Sequence, residues 1–198
     1  TTGIAVGSLT ANRTSMQKTN GLDDSIDAHA EDAGQFAPID IEARNNVALR
    51  RWFLSHTAET LDWLRGMGLA FHGPNPEPPN RVPRMHNVIP NAKAYIARLQ
   101  SRLLQLGGEI RCEVNVKSLL REKNRVIGVE SITRDQEETL RATCGVVLAC
   151  GDYANSHTLI AEHKGGRFAK IDGINPFATG DGHRLVQEIG AQLVNMDV

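Results

Sequence analysis

The sequence predicts an α/β fold that carries an antiparallel β-meander. Three observations predict it. Apolar residues recur at helical spacing in three places: Ile41 to Leu64, Ile96-Leu99-Leu103-Leu106, and Leu185-Val186-Ile189. Alternating or β-branched runs at 109–116, 126–132 and 145–149 lie between the second and third stripes and read as strands. Polar and charged turns at 122–124 and 134–138 separate short strands closely enough for hairpins.

Residues 1–14 are small, glycine-bearing and nearly uncharged, and read as a loop leading into a short helix and continuing a longer chain. Gly3 and Gly7 there allow close approach or positive φ. After the Asn20-Gly21 turn, Asp23-Asp24-Ser25 caps a helix running to Asp32. Asp40 caps the next helix, through about Leu54, and Ser55 or Thr57 restarts another that ends at Arg65-Gly66-Met67-Gly68. Trp52 and Trp63 are expected in the core. Residues 71–90 are rich in Pro and Asn, and the prolines argue against regular structure. With His72, Arg81, Arg84 and His86, this stretch reads either as a functional loop or as a solvated crossover.

Asn91 caps a helix that Gly107-Gly108 stops. A half-buried strand follows, with Ile110, Cys112, Val114 and Val116 on one face, and then a hairpin of 119–121 and 126–132 and a third strand at 139–143. The run 145–149 ends in Cys150, Gly151 and Asp152. It is a buried strand ending either in a tight turn or at a ligand site, because ligands in open α/β sheets sit beyond strand ends. A short helix is expected at 158–163. Thr179 or Asp181 caps a last helix that stops at Gly190, and 191–198 alternates as a strand.

With 22 Lys and Arg against 23 Asp and Glu, the charge balance gives no basic footprint for nucleic acid or an anionic membrane. No apolar run is long enough to span a bilayer, so no membrane segment is expected, and the N-terminus lacks the form of a signal peptide. Three cysteines, Cys112, Cys144 and Cys150, show no metal or CxxC spacing. They favour buried thiols in a reducing, cytoplasmic compartment, with Cys150 either inert or a reactive strand-end thiol. There is no GxGxxG, Walker A, HExxH or GxSxG, and the seven histidines are scattered, so no metal site is assigned. Asp23-Asp24 and Glu137-Glu138 are expected to be solvated. What remains is three low-charge, small-residue turns, Val6-Gly7-Ser8, Ala149-Cys150-Gly151-Asp152 and Thr179-Gly180-Asp181-Gly182, which suit the lining of a cleft for a large neutral ring system.

Six segments in order resemble a flavoprotein family: TTGIAVGSLTANRTSMQ, SHTAETLDWLRGMG, RMHNVIP before GGEIRCEVNVKSLL, VIGVESI, GVVLACGDYANS and ATGDGHRLVQEIGAQLVNMD. The family is that of fumarate reductase, succinate dehydrogenase flavoprotein subunits and 3-ketosteroid dehydrogenases. The resemblance implies a partial FAD-binding domain, Rossmann-like and of glutathione-reductase type, with a β-meander and without the N-terminal GxGxxG unit that carries the pyrophosphate site. It implies residues 1–152 as the central part of that domain and 153–198 as its continuation toward a substrate domain.

FAD is the implied cofactor. Val6, Gly7 and Ser8 would approach the flavin ring and phosphates with Thr2 nearby. Val116 would offer backbone bonds to adenine, Ala149, Cys150 and Gly151 would line the cleft, and Asp181 would lie near it. No catalytic residue is assigned, since the family's substrate-binding His and catalytic Arg have no counterpart here. The implied activity is hydride transfer between flavin and a C–C bond of a small-molecule substrate, with this stretch alone inactive and binding FAD weakly. The alternative is a non-catalytic α/β ligand- or partner-binding module on the same scaffold. A homo-oligomer or a complementary fragment is the expected association, through apolar surface left uncovered. Cys150 and Asp152 stand where the family usually has Thr and Gly, and Pro90-Asn91 replaces its Gly pair. Asp152 is read as a turn-capping carboxylate, or else as a charge that tunes the flavin or rejects anionic substrates.

Overall fold

The computed structural model describes residues 2–197, which divide into two units, 2–109 and 110–197.

The first unit starts with a 3-10 turn, Thr2–Ile4, and a short strand β1, Ser8–Thr10. Helices α1 (Ser15–Thr19), α2 (Ile26–Ala33), α3 (Ile39–Glu42), α4 (Val47–Ser55) and α5 (Thr57–Gly66) follow, then strands β2 (Ala70–Asn75) and β3 (Met85–Ile89) and helix α6 (Lys93–Gln105). The strands form an antiparallel sheet in the order β1-β3-β2, with Leu9 opposite His86 and Phe71 opposite Val88. Leu64, Leu69 and Val88 centre its apolar core, with Leu9, Met67, Phe71 and Tyr95 packed around them.

Side-chain caps explain the starts of α1, α2, α4 and, in the second unit, the helix after Ser156. Ser25 caps α2 as the sequence predicts, and Thr14 with Gln17 closes a reciprocal capping box on α1. Asn46 caps α4 through Leu49 N–H. The single helix expected from Asp40 to Leu54 is therefore two, because that capping side chain resets the backbone, and Pro38 rather than Asp40 precedes α3. Asn91 accepts from Lys93 N–H at the start of α6, although Ala92 occupies the cap position.

Residues 71–90 are irregular at 76–84, where Pro76, Pro78, Pro79 and Pro83 lie, and regular on the flanks. They hold β2 and β3, and Pro74 is accommodated at a bulge between His72 and Asn75, where no ladder N–H is needed. Both tryptophans lie outside the core, Trp52 63% and Trp63 57% exposed. Leu54 in α4 and Leu61 and Leu64 in α5 are the buried apolar residues of these helices instead.

The second unit is built on the predicted meander: β4 (Asn115–Glu122), β5 (Arg125–Thr133) and β6 (Gln136–Arg141), antiparallel in that order. Lys123 and the pair Arg134-Asp135 take positive φ at the two hairpin turns. Helix α7 (His157–His163) is capped by Ser156, a 3-10 turn spans Phe168–Lys170, and helix α8 (Asp181–Glu188) begins at Gly180 in the left-handed region. Gly180 holds the cap position expected of Thr179 or Asp181.

Three expected strands are absent among the described residues. Residues 109–114, 145–149 and 191–197 are non-regular, Val147 is 91% exposed, and Val198 lies outside the described residues. Their β-branched composition favours extended backbone, but a strand exists only where a neighbouring strand pairs with it, and among the described residues no ladder includes these ranges. All three cysteines are free and exposed, which corrects the expectation of buried thiols.

Candidate functional site

In the first unit Val6 and Gly7 lie in the loop before β1, and Ser8 opens that strand. Gly7 has φ +90°, and a Cβ there would meet Val88 Cγ1 at 2.8 Å and Ala92 N at 3.0 Å. Only glycine fits this close approach to β3 and the start of α6. Ser8 Oγ donates to Asn87 Oδ1 at 2.7 Å. Val6 is 83% exposed, and Thr2 is exposed in the opening 3-10 turn.

Behind this loop lies a polar core that the sequence reading did not find. Arg84 is wholly buried and makes a two-pronged bond to Asp24, 2.7 Å to each oxygen, while its NH1 donates to Asp32 at 2.6 Å. Asp24 was expected to be solvated, but its side chain is fully buried because this guanidinium satisfies it. Burial alone would raise both carboxyls, and the hydrogen bonds from Arg84 overcome it and hold both below the ordinary carboxylate value.

Gln17 joins this core to α1, donating to Asp24 and to Pro83 O. Arg84 O accepts Ala11 N–H at 3.0 Å, fastening the chain just past β1. His86 Nδ1 donates to the same carbonyl at 2.7 Å, which leaves Nε2 of the neutral ring to accept from Thr14 Oγ1 at 3.1 Å. His29 accepts from Asn12 Nδ2 at 2.9 Å, and burial, with Arg84 adding to it, pushes its pKa down to about 4. The one sequence signal for this core was the Arg-x-His turn in RMHNVIP. Its partners come from α2 and the turn before it, some fifty to sixty residues away, a separation that no local pattern marks.

A cleft of about 410 Å³ in this unit is lined by Arg13, Lys18, Asp23, Asp24, Ser55 and Glu59, none of them a predicted site residue.

In the second unit the structure brings two of the predicted turns together. Gly180 N–H donates to Asp152 O at 3.3 Å, and a Cβ on Gly182 would meet Cys150 Cβ at 3.1 Å. Asp152 Oδ1 accepts Ala154 N–H at 2.7 Å, an Asx turn, as the capping reading of that residue expects. Ala149, Cys150 and Gly151 are exposed. Gly151 has φ +77°, and a Cβ there would meet no atom within 4 Å, so this turn offers bare backbone to an incoming group. Asp181, in the first turn of α8, accepts from Thr179 Oγ1 at 3.1 Å and pairs with Arg184 at 2.6 Å. Val116 lies on β4 opposite Ser131.

These features fit a dinucleotide with a flat ring system. The turns are built of small residues, Gly7, Gly151 and Gly180 occupy positive φ, and the first turn of α8 has no side-chain cap on its N–H groups.

The family model described as FAD binding domain matches residues 1–198. NADH:fumarate oxidoreductase of Klebsiella pneumoniae (strain 342) is 20% identical over 195 residues, 97% of this chain and 21% of that protein. The open conformation of a flavocytochrome c3 fumarate reductase superposes with a TM-score of 0.86 at 24% identity, over 96% of this chain and 34% of the other. The 3-ketosteroid-Δ4-(5α)-dehydrogenase of Rhodococcus jostii RHA1, in complex with 4-androstene-3,17-dione, gives 0.83 at 21%, over 100% and 47%. The chain spans about a fifth to a third of the length of the curated relatives it matches.

Proposed function

The chain belongs to the FAD binding domain family, its cofactor is FAD, and from this we propose that it is the cofactor-holding part of an oxidoreductase that moves hydride between flavin and a C–C bond. The observation that carries the reading is the family match along the whole chain. The relative named for fumarate, and neighbours titled as a fumarate reductase and a ketosteroid dehydrogenase, support the C–C bond as the reacting group.

FAD supplies the hydride chemistry when bound. In the first unit Val6, Gly7 and Ser8, with Thr2, offer an uncharged surface and backbone to the ring and phosphates. In the second, Ala149, Cys150 and Gly151 let the cofactor approach without side-chain obstruction, Asp181 stands near it, and the Val116 backbone serves the adenine. Residues 1–152 are the central part of the cofactor domain, and 153–198 lead toward the part that holds substrate. The free cysteines support a reducing compartment, the cytoplasm.

No group in this chain is assigned to catalysis, so the FAD-loaded 198-residue chain should not turn over. Anaerobic reduction with dithionite followed by fumarate or 4-androstene-3,17-dione should leave the flavin reduced. Substrate-dependent reoxidation would place catalytic machinery within these residues and overturn that part of the reading.

A further inference from the structure

Tyr95 stands in the first turns of α6. Its ring lies against Phe71, centroids 6.1 Å apart, and packs on the Leu64-Leu69-Val88 cluster. Its hydroxyl does something that packing does not require: it donates to Gly7 O at 3.0 Å, across 88 residues of sequence. The same carbonyl accepts Val88 N–H at 3.3 Å. Gly7 sits at φ +90° with no room for a Cβ against Val88 and Ala92. The loop is therefore clamped three ways, by β3, by the start of α6 and by one phenol. Burial raises the pKa of that phenol, so it remains a donor throughout the neutral range.

We propose that Tyr95 is a positioning residue for FAD: its hydroxyl, acting through the Gly7 carbonyl, fixes the backbone of Val6, Gly7 and Ser8 in the conformation that meets the cofactor. The inference rests on the assignment of this loop to FAD. A loop held before binding loses less entropy when ligand arrives, and it holds the ring in one orientation. With both donors in place, the Gly7 carbonyl is committed to the protein and its partial negative charge is kept from the flavin.

The test is Tyr95→Phe in the 198-residue chain, titrated with FAD, beside Val6→Asp. Tyr95→Phe keeps the ring and its packing. The expected result is a thermal midpoint in the absence of FAD within a few degrees of the parent, a Kd for FAD raised about fivefold, and a weaker induced visible circular dichroism of the bound flavin. Val6→Asp should abolish binding. If Val6→Asp binds FAD like the parent, the loop does not face the cofactor, and both the assignment and the proposal fall. If Val6→Asp loses FAD while Tyr95→Phe binds it with unchanged affinity and dichroism, the assignment stands and the role of Tyr95 is overturned. A loss of affinity in Tyr95→Phe that only accompanies a large fall in thermal midpoint overturns it as well, since the hydroxyl would then act on folding.

Discussion

At the scale of single residues, the costliest groups in the chain are Asp24, Asp32 and Arg84, three charges whose side chains are fully buried. They are tolerable because each carboxylate is paired with Arg84, with Gln17 adding a bond to Asp24 and Arg81 to Asp32. Arg84→Met removes the guanidinium that the two buried carboxylates share. It should destabilise the chain by about 3–5 kcal/mol, read as a lower denaturant midpoint. His29 adds a pH dependence of defined sign. Its folded pKa is about 4 against an ordinary 6.5, so between those values the unfolded chain binds a proton that the folded chain refuses. Stability should fall as pH drops through that window, by on the order of 3 kcal/mol, and His29→Gln should flatten that part of the profile. Asp24 and Asp32 are depressed carboxylates. Their contribution is complete above the ordinary 3.8 and is lost as pH falls below it through their folded values. A stability profile that rises on acidification between pH 6 and 4 would contradict this account of the polar core. Little of this was legible in the sequence: Asp24 beside Asp23 looks like any surface turn, and only the fold brings Arg84 to it.

Elements were more legible where local chemistry decides them. The meander was readable because turn residues and alternation act within a few positions, and α2, α7 and the stop at Gly190 follow from their caps and glycines. Segments whose fate depends on distant partners were not readable. Residues 145–149 have the composition of a buried strand but no strand beside them among the described residues, while the two ends of 71–90 pair as β2 and β3 around an irregular, proline-rich middle. The stripe on α6 was correctly periodic, yet Ile96, Leu99, Leu103 and Leu106 are exposed. Exposed apolar faces of this kind promote association. The 198-residue chain should therefore elute larger than a monomer in size-exclusion chromatography and bind a hydrophobic dye. Leu99→Glu with Leu103→Glu should shift it toward monomer, and a parent chain that is monomeric and dye-silent would refute the expectation. The hairpins of β4 to β6 carry the adenine-side assignment of Val116. FMN, which lacks adenine, should accordingly bind at least about tenfold more weakly than FAD, the loss of more than one hydrogen-bonded contact.

At the scale of the whole molecule, the chain is two units, each bringing small, exposed, glycine-bearing turns, and a family match that runs from end to end. The small residues proposed to meet the cofactor, Val6-Gly7-Ser8 and Ala149-Cys150-Gly151, stand out in the sequence, as does Asp181 at a glycine-flanked helix start. The structure adds which of them touch, Asp152 with Gly180 and Cys150 with Gly182. It also adds Tyr95, an ordinary helix residue whose role depends on a contact 88 positions away. The central claim is that these residues hold FAD. Equilibrium titration of FAD into the 198-residue chain, followed by flavin fluorescence, tests it most directly. The account predicts weak, saturable binding of one FAD per chain that Val6→Asp abolishes. An absence of saturable binding, or saturable binding that Val6→Asp leaves untouched, would contradict it.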